Sequence, residues 1–231
     1  MHDIIQKVRD ESDTLVEAGF DGIMIENYED VPFFKDKLPP EAISGLSVCC
    51  DEVRRRHPNI PMGVNALRND GLSALSIAYV TNLDFIRVNV LCGAVVTDQG
   101  IIEGCAAELL RLKSALNAST EIWADFNVKH AQPLVQMPEE QVLSDLIVRG
   151  GAELVLISGS GTGQPTSSDE VERIKNRSSV PVGVGSGITA QNIGNYPADV
   201  FIVGTSLKVN GLLDKERCIE IVKSRNELRQ S

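Results

Sequence analysis

The stretch Val180-Pro181-Val182-Gly183-Val184-Gly185-Ser186-Gly187-Ile188-Thr189, followed by Val200-Phe201-Ile202-Val203-Gly204-Thr205-Ser206, decides the fold. Each half is a short apolar run that ends in glycine and hydroxyl residues. An apolar run without polar alternation reads as a strand covered on both faces, as in a parallel sheet. Glycines just beyond such a run let backbone N–H groups approach an anion, and a helix starting near Thr189 would add partial positive charge. Two such loops in succession near the C-terminal end match the phosphate site that the last two strands of a TIM barrel build. The expected phosphate-binding residues are therefore Gly185, Ser186, Gly187, Gly204, Thr205 and Ser206. The plainer alternative is that the glycines only make tight turns, with Thr189 an ordinary N-cap.

The same unit recurs upstream. Short apolar runs lie at Gly22-Ile23-Met24-Ile25, Pro61-Met62-Gly63-Val64, Asp84-Phe85-Ile86-Arg87-Val88, Glu121-Ile122-Trp123-Ala124 and Leu154-Val155-Leu156-Ile157. A helical pattern over Ile4-Ile5, Val8 and Leu15-Val16 stops at Gly19, and others lie near 40–56, 70–80, 103–116, 137–149, 168–176, 190–194 and 214–228. Strands alternating with helices mean βαβ units. Polar residues at every strand end favour an α/β fold of the TIM (β/α)8 type in one domain over residues 1–231, with an open doubly wound sheet as second choice. If the last two runs are strands seven and eight, Gly22–Ile25 becomes strand two. The chain is then expected to begin downstream of a first strand, because a barrel without it would leave two edges unpaired.

The other strand ends carry the remaining candidates. Glu26 and Asn27 close the first run, Asn65 and Arg68 follow the second, and Arg87 and Asn89 sit in the third. Asp125, Asn127 and Lys129 fall on one side if the fourth strand continues through them, with His130 beside. A carboxylate next to an ammonium suits proton transfer, so Glu26, Asp125 and Lys129 are the catalytic candidates, with a structural ion pair as the alternative for Asp125. Lys129 could instead form a Schiff base with a carbonyl substrate. Asn27, Asn65, Arg87, Asn127, His130, Ser158 and Thr162 are the expected substrate-binding residues. The run Ser158-Gly159-Ser160-Gly161-Thr162-Gly163 has the flexibility of a loop over a ligand. It lacks the spacing of a dinucleotide fingerprint, so no cofactor is expected.

Composition excludes several classes. With 22 Lys and Arg against 32 Asp and Glu, the formal charge is −10, which argues against nonspecific binding to nucleic acid or anionic lipid and leaves room for a local basic pocket. The five cysteines contain no C-x-x-C pair and read as reduced thiols of an intracellular compartment, and no metal site is expected. No apolar run approaches the ~20 residues of a membrane span. Association of copies into a homo-oligomer is left open.

Asp21-Gly22-Ile23-Met24-Ile25-Glu26-Asn27 with Asp30-Val31-Pro32-Phe33 resembles the BtpA/SgcQ family. The likeness continues through Asp84-Phe85-Ile86-Arg87, 125–130, 158–163 with Pro165, Gly185-Ser186-Gly187 and Gly204-Thr205-Ser206-Leu207-Lys208-Val209-Asn210-Gly211. It implies a TIM barrel and a first strand with a Met-Val-His-like segment ahead of residue 1. Ser160-Gly161 departs from the acidic residue or threonine of the family pattern. The resemblance implies either a nucleosidase-like or sugar-phosphate lyase or isomerase activity, or a photosystem I biogenesis factor that is peripheral to a membrane. It also implies a cytoplasmic or mitochondrial location for eukaryotic members.

Overall fold

The computed structural model describes residues 1–126, 128, 131–159 and 165–228. Helix α1 (His2–Ala18) ends where Gly19 takes a left-handed φ of 92° and returns its N–H to Leu15 and Val16. Strand β1 (Ile23–Glu26), helix α2 (Pro40–Arg56), β2 (Met62–Asn65), α3 (Gly71–Thr81) and β3 (Phe85–Val88) follow. A hairpin, β4 (Ala94–Thr97) and β5 (Gly100–Glu103), then precedes α4 (Ala106–Leu116) and β6 (Glu121–Asp125). After the short β7 (Gln132–Pro133) come α5 (Glu139–Ser144), β8 (Leu154–Ile157), α6 (Ser168–Lys175), β9 (Val182–Val184) and β10 (Val200–Phe201). The small pair β11 (Lys208–Val209) and β12 (Leu212–Leu213) leads into α7 (Lys215–Leu228).

Seven strands form one parallel sheet in the order β1-β2-β3-β6-β8-β9-β10, the seven runs read in the sequence. Parallel pairing aligns Gly63 with Phe85, Ile86 with Ile122 and Trp123 with Leu154. Because side chains alternate along a strand, each one divides its residues between two faces. Met62, Val64, Ile86, Val88, Ile122, Ala124, Val155, Ile157, Val182 and Val184 pack with Leu75, Ile77, Leu109, Leu143 and Ile174 of the surrounding helices. The opposite parity turns to the concave face. There the Phe85 and Trp123 rings stack with centroids 3.7 Å apart, and a Cβ on Gly63 would lie 2.1 Å from the Phe85 ring. Gly63 is thus the residue that admits Phe85.

Two expectations are corrected. Residues 190–194 hold no α-helix, only a turn and a three-residue 3-10 segment, Ile193–Asn195. Pro197 explains the stop, since it drives Tyr196 out of the helical region, and Tyr196 is extended. The second is the start of the helix near 103–116, which begins at Ala106 because a hairpin occupies 94–103; β4 pairs with β5 on one side and β7 on the other, a three-stranded arm beyond the carboxyl end of β3. All five cysteines are free thiols.

Candidate functional site

Register builds the site. Glu26 pairs with Asn65 and Asn65 with Arg87, so three polar residues stand side by side at the carboxyl ends of β1, β2 and β3. Asn65 Nδ2 donates to Glu26 Oε1 at 2.9 Å, and Arg87 Nη1 lies 3.6 Å from the same oxygen. Across the concave face, Arg87 donates from Nε to Asp125 Oδ1 at 2.9 Å and from Nη2 to Asp125 Oδ2 at 3.0 Å. This is a fork of two parallel bonds, the strongest form of such a pair. Nη2 also reaches Ser158 Oγ at 3.3 Å, and Asn89 Nδ2 donates to Asp125 Oδ2 at 2.8 Å.

Arg87 is 5% exposed and Asp125 3%. Burial pulls the Arg87 pKa down, while Asp125 and Glu26 pull it up and prevail, so the guanidinium stays charged. Arg68, also buried, shows the reverse balance: desolvation lowers its pKa, opposed by the attraction of Asp125. The described part of the mouth therefore holds two guanidiniums and two carboxylates, Glu26 being the more exposed with a side chain at 25%.

Two asparagines lace the surrounding loops. Asn27 Oδ1 accepts from Leu67 N at 2.7 Å while its Nδ2 donates to Leu67 O at 3.2 Å, which clamps the loop after β1 to the loop after β2. Asn69 repeats the device one strand on, accepting from Val90 N at 2.8 Å and donating to Val90 O at 3.0 Å. Asn27, expected as a substrate ligand, thus spends its amide on holding the residue beside Arg68.

The glycine loops divide in role. Gly185 N donates to Ile157 O at 2.8 Å, so its N–H belongs to the sheet. Its missing side chain is what counts, because a Cβ there would lie 2.9 Å from Ser158 Oγ and 3.1 Å from Arg87 Nη2. Ser186 Oγ accepts from Gly159 N at 3.0 Å, joining the loops after β8 and β9. Gly187 takes φ +70°, Thr189 N is capped by Asn192 Oδ1 at 2.8 Å, and Ser206 Oγ donates to Ile188 O at 2.6 Å. Among the described residues, the N–H groups of Gly187, Gly204 and Thr205 donate to no protein acceptor.

Glu26, Asn65, Arg87, Asp125, Ser158 and Gly185 are thus brought together, with Gly204, Thr205 and Ser206 on the loop after β10. Asn127, Lys129, His130 and Thr162 lie outside the described residues. The sequence places Asn89 at the end of the third run without a role and does not single out Asn69. The alternation that turns Arg87 inward does the same for Asn89 two residues on. Among the described residues no group of three or more His, Cys, Asp or Glu could hold a metal ion, and no helix is long and apolar enough to cross a membrane.

The BtpA family profile matches residues 1–227, and the chain belongs to that family. It is 43% identical over 236 residues to an uncharacterized protein of Thermococcus kodakarensis, covering 99% of this chain and 88% of that one. It is 40% identical over 215 residues to the Photosystem I biogenesis protein BtpA of Synechocystis sp., covering 92% and 75%. To an uncharacterized mitochondrial protein of Caenorhabditis elegans it is 33% identical over 248 residues, covering 100% and 87%. Among solved structures, 3-hexulose-6-phosphate synthase from Salmonella typhimurium superposes with a TM-score of 0.63 at 15% identity over 97% of this chain and 94% of that one. Phosphoribosyl anthranilate isomerase from Thermus thermophilus gives 0.62 at 11% identity over 95% and 94%. Identities this low speak for the fold, which is that of TIM-barrel proteins.

Proposed function

We propose that this BtpA-family chain binds a small phosphorylated anion at the carboxyl mouth of its sheet. The cluster around Arg87 and Asp125 forms the polar floor, and the loops carrying Gly187, Gly204 and Thr205 supply N–H groups to the phosphate. The observation that carries the reading is the buried Arg87–Asp125 pair, bonded further to Ser158 and Asn89. Buried ion pairs are weak contributors to stability, because desolvation offsets the attraction. A pair of this kind at the strand ends, where barrel active sites lie, is better accounted for by a ligand. Two neighbours of the same fold bear names that include a phosphorylated sugar or a phosphoribosyl group, which lends support.

As an enzyme of the isomerase, lyase or nucleosidase kind, the chain would use Glu26 for proton transfer, because that carboxylate is partly exposed and held by Asn65. Asp125 already accepts three hydrogen bonds and would orient Arg87. Lys129 remains the proposed electrophilic or Schiff-base group. The test is calorimetric titration with inorganic phosphate and ribose 5-phosphate. A ligand at a hundredfold its Kd also stabilises the fold by about 2.7 kcal/mol, visible in a melting curve. Gly204→Asp is the informative variant: Gly204 is exposed with nothing within 4 Å of an added Cβ, so the carboxylate should repel the anion without disturbing the fold. Absence of binding by the folded protein, or binding indifferent to Gly204→Asp, would overturn the reading.

One finding favours a second reading, a non-enzymatic assembly factor for a membrane protein complex: the 40% identical Synechocystis relative is named a photosystem I biogenesis protein. The arm and its flank expose Val96, Ile101, Leu134, Val135 and Met137, a surface such a role could use. A scaffold tolerates Glu26→Gln and fails on Leu134→Ser with Val135→Ser. An enzyme does the opposite.

A further inference from the structure

Asn89 carries the clearest unfilled demand in the mouth. Its residue is 4% exposed, and its amide cannot be turned round, because Nδ2 faces Asp125 Oδ2 at 2.8 Å and a carboxylate only accepts. The carbonyl oxygen Oδ1 therefore points away from Asp125, and among the described residues that buried atom finds no hydrogen-bond donor. Native interiors seldom leave such an acceptor unsatisfied, and the exceptions call for a functional account. Among the described residues, Asn69 is used on Val90, Asn65 on Glu26, and Arg87 on Asp125, Ser158 and Glu26.

We infer that Asn89 Oδ1 receives a hydroxyl group of the bound ligand, so that the site takes a polyhydroxylated phosphate rather than a bare or alkyl phosphate. The inference rests on the anion-binding reading above and goes further by naming what the rest of the ligand carries. Desolvation selects the donor. Oδ1 is buried and the guanidiniums of Arg87 and Arg68 are already matched by Asp125 and Glu26, so a neutral O–H is stripped of water there at lower cost than an ammonium. Oδ1 is shielded from solvent. The partner lost on leaving out the hydroxyl is then not replaced by bulk water, and sites built this way discriminate strongly against analogues lacking the donor.

The experiment compares two open-chain ligands with the same phosphate and carbon count, ribitol 5-phosphate and n-pentyl phosphate, by calorimetric titration, with inorganic phosphate as a third probe. Wild-type protein should bind ribitol 5-phosphate at least tenfold more tightly than pentyl phosphate. In Asn89→Leu and in Asn89→Ala, each checked for a cooperative melting transition, that ratio should fall toward one. Using the ratio within each variant cancels any general weakening from loss of the Asn89 bond to Asp125. Equal binding of the two ligands by the wild type overturns the inference with no variant involved, as does a ratio that survives in a folded Asn89 variant. If none of the three phosphates binds, the anion-binding reading fails and this one with it. If phosphate binds and the two chains bind alike, only the hydroxyl assignment fails.

Discussion

Replacing Arg87 with methionine tests whether the polar floor is a buried ion pair. Methionine keeps most of the aliphatic bulk and removes the two bonds to Asp125, the 3.3 Å bond to Ser158 and the 3.6 Å contact with Glu26. What remains is a carboxylate with a side chain 1% exposed and Asn89 Nδ2 as its described donor. Removing one partner of a buried pair costs about 3–5 kcal/mol, since the other charge stays desolvated. That is a large part of the roughly 5–15 kcal/mol that holds a domain folded. At about 2–4 °C per kcal/mol for a chain of this size, the melting temperature should fall by about 6–20 °C. Urea denaturation of the wild type, Arg87→Met, Asp125→Leu and the double variant closes a cycle that isolates the pair. The double variant should be more stable than the sum of the single losses predicts, because it leaves no orphaned charge. Arg87→Lys should not restore the wild-type value, since an ammonium cannot make the fork. A loss below about 1 kcal/mol for Arg87→Met, or strict additivity in the cycle, would refute the assignment of a desolvated pair.

Gly63→Ala should destabilise by about 1–3 kcal/mol through overpacking, because the new Cβ would lie 2.1 Å from the Phe85 ring; Phe85→Leu should recover part of the loss, and an unchanged urea midpoint for Gly63→Ala would contradict the packing described. The Arg56 hydrogen bonds hold the Asp13 pKa below the usual carboxylate value, against desolvation and with the help of His57. A depressed folded pKa stabilises above the unfolded value of about 3.9 and is lost as pH falls through the folded one, so the melting-temperature gap between wild type and Asp13→Asn should narrow from pH 6 to pH 3. A gap of constant size would exclude the linkage.

The strands were legible because they are buried on two faces: runs such as Leu154-Val155-Leu156-Ile157 have no polar position to confuse the period, and all four residues are buried. The hairpin at 94–103 was missed for the opposite reason. It stands outside the sheet with one buried position in β5, so its Val-Val and Ile-Ile pairs lack the uninterrupted burial that marks the parallel strands. The helical pattern at 190–194 is cut short by Pro197, a stop that the sequence itself carries. Gly185 teaches a subtler point. A glycine after a strand suggests an N–H offered to an anion, yet whether that N–H is free depends on strand pairing with a distant part of the chain, here with Ile157, which local sequence does not encode. The same holds for Asp125. Proximity along the chain suggests Lys129, which lies outside the described residues, as its partner; among the described residues, register across β3 and β6 brings Arg87 to it from 38 residues earlier. Charge pairing at a barrel mouth follows the circumference of the sheet rather than the order of the chain. The useful sequence signal is therefore the parity of a polar residue within its own strand, which Arg87, Asn89, Asp125 and Ser158 each satisfy.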